Sequence, residues 1–282
     1  MPVRHFPRRD RLSVLTATVV LAYILARIIE LPVRFVGGTF LGSALGFEVN
    51  SQFLMLLLVA ALVSTGTDPL IRSHPRFGNE PHRLGTLTHW ILPGALALVL
   101  GAALNSTAAA RIAGLIWWLE LAAGALALIG VLTAEYIVVD AEDPSRDAAS
   151  LALKAIAYAL ALILFDLLHL LGARAAISST VGGLFAAGIA GRLFALNRTE
   201  ARRAVLYAAL VGLMCAETIW LLSYWRVNSI GAALVIMQPF YLGTGIAQQN
   251  LAGGLTRRVW VEFGVVGIIG LAICLAYVLQ GA

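Results

Sequence analysis

Residues 155–172 read AIAYALALILFDLLHLLG, a stretch that is long and apolar enough to cross a membrane as a helix. Asp166 and His169 interrupt it, one helical turn apart. A charged side chain at the centre of a bilayer costs from ~3 to more than 10 kcal/mol, so such residues usually face a bundle interior, a partner or a water-filled cavity. The stretch therefore predicts a membrane helix that carries a polar site.

The composition of the whole chain agrees with this prediction. Of the 282 residues, 60% are hydrophobic and 12% are charged, whereas soluble domains are ~45–50% apolar and ~25% charged. A crossing takes ~20 apolar residues, which leaves room for about eight to ten membrane helices and for no soluble catalytic domain. The predicted fold class is all-α, a polytopic integral membrane helix bundle that forms a single transmembrane domain over residues 1–282.

Apolar windows of bilayer length predict nine crossings. They lie at about 12–34, 48–66, 86–104, 112–138, 151–171, 175–195, 203–224, 229–249 and 258–279. The first window follows an arginine-rich start and resembles a signal sequence. Its apolar run continues without a small-x-small cleavage site, which favours an uncleaved signal anchor.

The positive charges predict the orientation of these helices, because cytoplasmic loops carry an excess of Lys and Arg. With the N-terminus in the cytoplasm, 15 of the 20 Lys and Arg residues fall at or near the inner face. The outer five are Arg27, Arg34, Arg111, Arg174 and Arg226. The C-terminus is then outside, and the net charge of +5 reports topology rather than nucleic-acid binding. The arginine-rich inner loops and short turns resemble those of bacterial inner-membrane proteins, so the predicted location is a cytoplasmic (inner) membrane.

Two connections in the first half of the chain are distinctive. The Gly-rich segment Gly37–Phe47 is too short to span and predicts a re-entrant turn or an interfacial stretch, with a bend at Gly37-Gly38. The segment Gly66–Gly85 contains Pro69, Pro75 and Pro81, a density that predicts an irregular loop on the lipid head groups rather than a continuous helix.

The acidic loop Asp140–Asp147 opens the helix that carries Asp166. One interpretation is a divalent-metal or diphosphate site like those of membrane prenyltransferases, but these enzymes use a second Asp-rich loop that this sequence lacks. We therefore favour an ordinary helix start, with Asp147 near the positive end of the helix dipole. No metal site is predicted.

Small residues recur at helical spacing in two windows. Ser179, Gly183, Ala187 and Gly191 form a strict four-residue stripe, and Gly264, Gly267 and Gly270 form a looser one. Both patterns predict close packing against a neighbouring helix. That neighbour could belong to the same chain, to a second copy or to another subunit of a membrane complex.

A helix rises ~1.5 Å per residue, which gives an expected depth for each residue in the membrane. By this measure most of the intramembrane charges lie in one layer. The predicted outer half holds five ionisable residues on four helices, together with one histidine: Arg27, Glu30, Glu120, Asp166, Glu217 and His169. His89, Glu135 and Glu262 lie near the inner face, at a depth that predicts contact with head groups. This asymmetry predicts a polar cavity that opens to the outside.

Two interpretations of the outer layer stay open at this point. In the structural one, Arg27 pairs with a carboxylate and Asp166 bonds His169 or a neighbouring tyrosine, which fixes the packing of the helices. In the functional one, Asp166, Glu120 and Glu217 bind protons or cations.

The leading functional hypothesis is a transporter or a lipid- or solute-handling protein whose ligand is a small molecule, an ion or a lipid. Its pocket would be lined by Glu120, Asp166, His169 and Glu217, with Gln238 before Pro239 at the floor and Arg27 in the same layer. A rival is an intramembrane enzyme for a lipid-linked substrate, with one carboxylate as general base and His169 assisting. A third is an accessory or structural subunit of a larger complex.

The sequence does not identify a cofactor. A bis-histidine haem site is disfavoured because His89 and His169 lie at opposite depths, whereas pigment binding by His169 alone stays open. The chain has no Gly-rich phosphate loop, no His-Glu-x-x-His and no Gly-x-Ser-x-Gly motif.

Overall fold

A computed structural model of the chain describes residues 9–29, 34–40, 43–49, 51–77, 86–105, 114–197 and 200–280, together with Pro7 and Pro32. Within these residues lie nine helices and one β-hairpin. The helices are α1 (Arg9–Ile28), α2 (Ser51–Arg72), α3 (Leu87–Asn105), α4 (Leu115–Ile137), α5 (Arg146–Leu170), α6 (Ala175–Leu196), α7 (Ala201–Leu222), α8 (Ser229–Leu251) and α9 (Arg257–Gln280). The strands are β1 (Arg34–Phe40) and β2 (Ser43–Val49).

The predicted polytopic helix bundle is confirmed. Among the described residues, the eight helices α1 to α8 are long and apolar enough to cross a membrane. The ninth predicted window falls on α9, and its crossing stays a prediction, as do the orientation and the identity of the membrane.

The chain divides into two compact units, Met1–Leu153 and Lys154–Ala282. In the first unit, the apolar core joins α1 to α4 through residues such as Val19, Val63, Leu104 and Leu128. In the second unit, aromatic rings connect α5 to α8: the Phe240 ring lies 5.9 Å from that of Phe165 and 5.8 Å from that of Tyr158, between centroids. The hydroxyl groups of Tyr158 and Thr244 also share a hydrogen bond at 3.0 Å.

The hairpin replaces the predicted bend between the first two helices. Strands β1 and β2 pair antiparallel, with Gly37 opposite Gly46 and Gly38 opposite Leu45. The prediction of a bend at Gly37-Gly38 is therefore wrong, since both glycines lie inside β1. Pairing satisfies backbone groups that an isolated interfacial stretch would leave exposed.

Helix α2 extends beyond its apolar window and includes Pro69. The prediction that the prolines forbid a helix from residue 66 onward is wrong for its first part. The carbonyl oxygen of Pro69 accepts a hydrogen bond from Arg11 Nη1 at 3.0 Å, which links the cytoplasmic ends predicted for α1 and α2. Residues 78–85, the rest of the predicted loop, lie outside the described residues.

The small-residue stripe of α6 packs on α7, as the four-residue spacing predicted. A Cβ atom added to Gly183 would lie 2.9 Å from the carbonyl oxygen of Gly212, and one added to Gly212 would lie 2.5 Å from that of Gly183. On α9, Gly267 and Gly270 face Leu242 and Gln238 of α8, whereas Gly264 has no neighbour within 4 Å of an added Cβ. The stripe on α6 is thus occupied by a helix of the same chain.

Candidate functional site

A cavity of about 440 Å³ opens in the second unit where α5 ends and α6 begins. We call it the α5–α8 cavity. Its polar and aromatic lining consists of His169, Arg174, Ser178, Ser223, Tyr224 and Trp225. Its apolar lining includes Phe165, Leu168, Ile219, Leu222 and Ile236.

The turn between α5 and α6 shapes this cavity. Gly172 ends α5 with φ 57°, a left-handed conformation that glycine adopts without strain. Helix α6 then begins after Arg174, whose carbonyl oxygen accepts hydrogen bonds from Ile177 N and Ser178 N. The tight turn therefore places the start of α6, with its positive dipole end, beside the last turn of α5.

His169 is held in a defined orientation at the cavity wall. Its Nε2 atom lies 3.1 Å from the carbonyl oxygen of Val227, in the connection between α7 and α8. Because a carbonyl oxygen only accepts hydrogen bonds, Nε2 must carry the proton, and in the neutral ring Nδ1 keeps its lone pair. Asn228 follows directly and caps α8 through the Gly231 N–H at 2.7 Å.

Asp166 is not paired with His169 or with a tyrosine among the described residues. Its Oδ1 atom is buried and has no hydrogen-bond partner, while His169 bonds Val227 and Tyr158 bonds Thr244. Asp166 does not line the α5–α8 cavity, although its neighbour Phe165 does. The pairing expected in the structural interpretation is therefore not formed here.

Glu217 and Gln238 also lie outside the lining of the α5–α8 cavity. Glu217 is exposed on α7. Gln238 is half-buried on α8, and its Nε2 atom contacts the sulfur of Cys274 at 3.7 Å. Their role in binding a ligand stays a prediction.

A second cavity, of about 180 Å³, lies in the first unit. We call it the α1–α4 cavity, since its lining comes from the end of α1, the start of α2, the end of α3 and the start of α4. Arg27 lies there with its guanidinium carbon 4.7 Å from the centroid of the Trp117 ring. Among the described residues no carboxylate pairs with Arg27, so the ion pair expected in the structural interpretation is not found there.

Glu120 lies on α4 one turn after Trp117. Its Oε2 atom is buried without a hydrogen-bond partner among the described residues, and it does not line the α1–α4 cavity. Arg27 and Glu120 belong to the first unit, whereas Asp166, His169, Glu217 and Gln238 belong to the second.

The first unit also has a buried polar pair that the sequence analysis placed at the head groups. His89 Nδ1 lies 2.7 Å from Glu135 Oε2, and Glu135 is 0% exposed. The expectation that these two side chains reach head groups is wrong, because they turn toward each other inside the bundle. His74 lies nearby against the ring of Tyr136, with 4.6 Å between centroids.

The acidic loop before α5 takes part in ion pairs and turns. Arg76 Nη1 lies 2.6 Å from Glu142 Oε2 and 3.1 Å from Asp140 Oδ1, and these contacts, led by the bond to Glu142, raise the pKa of Arg76. Asp143 accepts a hydrogen bond from Ser145 N at 2.7 Å. These contacts favour the helix-start interpretation over a metal site. Within the described ranges, no group of three or more His, Cys, Asp or Glu side chains is placed to hold a metal ion.

Sequence reasoning missed several residues of the α5–α8 cavity. Arg174 entered only the count of outer charges, and Tyr224 and Trp225 were not predicted to line a cavity. A usable signal was present, because Arg174 is the cation that directly precedes a predicted helix and follows the helix of His169 by a short turn.

A family model described as a protein of unknown function (DUF5656) matches residues 31–277, which include both cavities except for the part of α1 that lines the α1–α4 cavity. Neither a curated protein nor a solved structure matches the chain.

Proposed function

We propose a role from the site itself, because the chain belongs to a family described only as proteins of unknown function (DUF5656). Among its described residues, eight helices are long and apolar enough to cross a membrane. We propose that the protein handles a lipid or an amphipathic solute, and that the α5–α8 cavity binds this molecule by an anionic head group.

The size and lining of the cavity support this proposal most directly. Small-molecule sites typically enclose ~300–1,000 Å³ and combine a mostly apolar wall with a few polar groups. The α5–α8 cavity encloses about 440 Å³ and has this composition. Its apolar residues fit a hydrocarbon chain, and its polar residues gather at the α5–α6 turn, where a head group would lie.

The charge of the lining favours an anion. Arg174 is permanently positive, and the N–H groups of α6 that precede Ile177 point toward the same turn, where a helix start favours an anion. Among the described residues, no Asp or Glu lines this cavity. These residues offer a cation no carboxylate, which makes the transport of cations through this cavity the weaker hypothesis.

His169 and the two serines add acceptors rather than donors. Ser178 Oγ donates to the carbonyl of Ala173 at 3.2 Å, and Ser223 Oγ donates to that of Ile219 at 2.9 Å. The serine oxygens and His169 Nδ1 keep lone pairs, which suit a head group that also carries a hydroxyl or a proton.

Photo-crosslinking with a diazirine-bearing palmitate tests the proposal. The purified protein should be labelled in the α5–α6 turn and at the end of α7. Ala175 lines the cavity, so Ala175→Phe should reduce this labelling about tenfold by filling the space. The matched control is Ala176→Phe, since Ala176 is exposed and does not line the cavity.

The charge of the head group is tested with a second probe. Arg174→Gln should weaken labelling by the palmitate but leave labelling by the equivalent uncharged alcohol unchanged. Equal labelling of wild type and Ala175→Phe, with both folded in detergent, would contradict the proposal.

A further inference from the structure

The α1–α4 cavity has a different ligand chemistry, carried by one arginine on an aromatic platform. We propose that this cavity binds a phosphate group through Arg27. The phosphate could belong to the head group of a membrane phospholipid or to a free phosphate ester. This inference is independent of the palmitate site proposed above.

The position of Arg27 is set by contacts one turn earlier on the same helix. Tyr23 is 5% exposed, and its hydroxyl donates a 2.6 Å hydrogen bond to the carbonyl oxygen of Ala97 on α3. Gly101, one turn after Ala97, leaves room for the Tyr23 ring, since an added Cβ would lie 3.2 Å from it. Helix α1 is thereby fixed against α3 at the point where Arg27 extends into the cavity.

The platform under the guanidinium is itself buried. Trp117 is 4% exposed, and its ring meets that of Trp118 edge-on at 4.9 Å between centroids. A guanidinium over an aromatic face gains cation–π attraction and keeps its N–H groups free at the edge of the plane. Those N–H groups form the planar fork that binds two oxygens of a phosphate.

The surroundings of Arg27 favour an anion. Among the described residues, no Asp or Glu lines the cavity, and the amide side chains of Gln52 and Asn105 are exposed there and can donate further hydrogen bonds. A volume of about 180 Å³ holds a phosphate with part of its ester group. It does not hold acyl chains, which would lie along the exposed apolar residues of α1, such as Leu25 and Ile28.

Native mass spectrometry of the delipidated protein tests this site, with phosphatidylglycerol as the probe. Both proteins compared carry Ala175→Phe, which fills the α5–α8 cavity, so that lipid binding reports the α1–α4 cavity. In this background Arg27→Gln should bind about tenfold less lipid than the protein with the natural Arg27, because it keeps a polar side chain but loses the charged fork. The matched control is Arg226→Gln, since Arg226 is exposed and lies outside both cavities. In the same background its lipid binding should equal that of the protein with both natural arginines.

A second arm separates the two phosphate sources. Glycerol 3-phosphate is added to the lipid-loaded protein. If millimolar glycerol 3-phosphate displaces the lipid from the protein with Arg27 but not from Arg27→Gln, the site is assigned to free phosphate esters. Lipid binding that depends on Arg27 and resists displacement assigns it to a phospholipid head group. Either result supports the phosphate site.

Equal binding of phosphatidylglycerol by the protein with Arg27 and by Arg27→Gln, without displacement by glycerol 3-phosphate, would overturn the proposal. Thermal unfolding in detergent checks that the variants fold. Should Arg27→Gln not fold, Arg27→Lys replaces it, because lysine keeps the charge but contacts phosphate at one point. Lipid binding by Arg27→Lys should then fall severalfold, and unchanged binding would overturn the proposal equally well.

Discussion

Two carboxylates in predicted membrane helices meet opposite environments. Glu135 is fully buried and shares a 2.7 Å hydrogen bond with His89, so its carboxyl group has a partner. Asp166 has a buried oxygen that finds no hydrogen bond among the described residues. A buried polar atom without a partner costs ~1–3 kcal/mol, whereas a paired one contributes to stability. The two residues should therefore respond differently when their charge is removed.

We predict that Asp166→Asn raises the free energy of unfolding by about 1 kcal/mol, because the unpaired buried group no longer has to be charged. Glu135→Gln should lower it by about 2 kcal/mol, because it weakens a charge-assisted hydrogen bond to His89. Thermal unfolding in one detergent measures both. A loss of stability in Asp166→Asn as large as that in Glu135→Gln would show that Asp166 belongs to a buried pair, as the structural interpretation holds.

Small residues bring α6 and α7 into close contact. The backbone carbonyls of Gly183 and Gly212 each lie where the other glycine would carry a Cβ, so neither position has room for a methyl group. Close approach of this kind gives van der Waals contact along the helix pair, which membrane helices use in place of a hydrophobic driving force. Arg174, directly before α6, and Ser178, in its first turn, both line the α5–α8 cavity, so this packing positions the proposed site.

Substitution of Gly212 tests the contact between the two helices. We predict that Gly212→Ala destabilises the protein by ~1–3 kcal/mol, since the added methyl would lie 2.5 Å from the Gly183 carbonyl oxygen and the helices must separate. The control is Gly264→Ala, a change inside α9 with nothing within 4 Å of the added carbon. It should be neutral or stabilise by up to ~1 kcal/mol through helix propensity. Equal midpoints for both variants in a thermal-unfolding experiment would contradict the packing.

Helix positions were predictable because a bilayer demands ~20 apolar residues per crossing. The predicted window 229–249 corresponds to α8 (Ser229–Leu251), and the predicted window 175–195 corresponds to α6 (Ala175–Leu196). Where helices extend into polar sequence, hydropathy does not detect them, which is why α2 reaches Arg72 and α5 begins at Arg146. The hairpin escaped prediction because glycines lower strand propensity, and its stability comes from backbone pairing that no side-chain pattern records.

At the scale of the whole molecule, the sequence predicts a depth for each residue but does not predict its neighbours. Both cavities lie at helix ends that the topology assigns to the outside, in the layer expected to be polar. Their linings, however, combine side chains from four helices, and sequence spacing relates only residues of one helix. The contact between His89 and Glu135 is an example, because the two residues are 46 positions apart and lie on different helices. Only their matching depths on consecutive antiparallel helices could have indicated that they meet.

The orientation on which these depths rest can be tested by labelling introduced cysteines in sealed vesicles. The two native cysteines, Cys215 and Cys274, are buried, so a membrane-impermeant maleimide should give little background. We predict that Arg226→Cys and Ala282→Cys react from the outside. Ala252→Cys, in the connection between α8 and α9, should react only after the vesicles are opened, because that loop precedes Arg257 and Arg258 on the predicted cytoplasmic side.

The label at residue 282 decides whether α9 crosses the membrane. If Ala282→Cys and Ala252→Cys react from the same side, α9 lies on the membrane and the helix count is eight. Both cavities would stay at the outer face in that case, because their depth depends on α1 to α8. If instead Arg226→Cys is protected in sealed vesicles, the whole orientation is reversed, and the α5–α8 and α1–α4 cavities would take their ligands from the cytoplasmic leaflet.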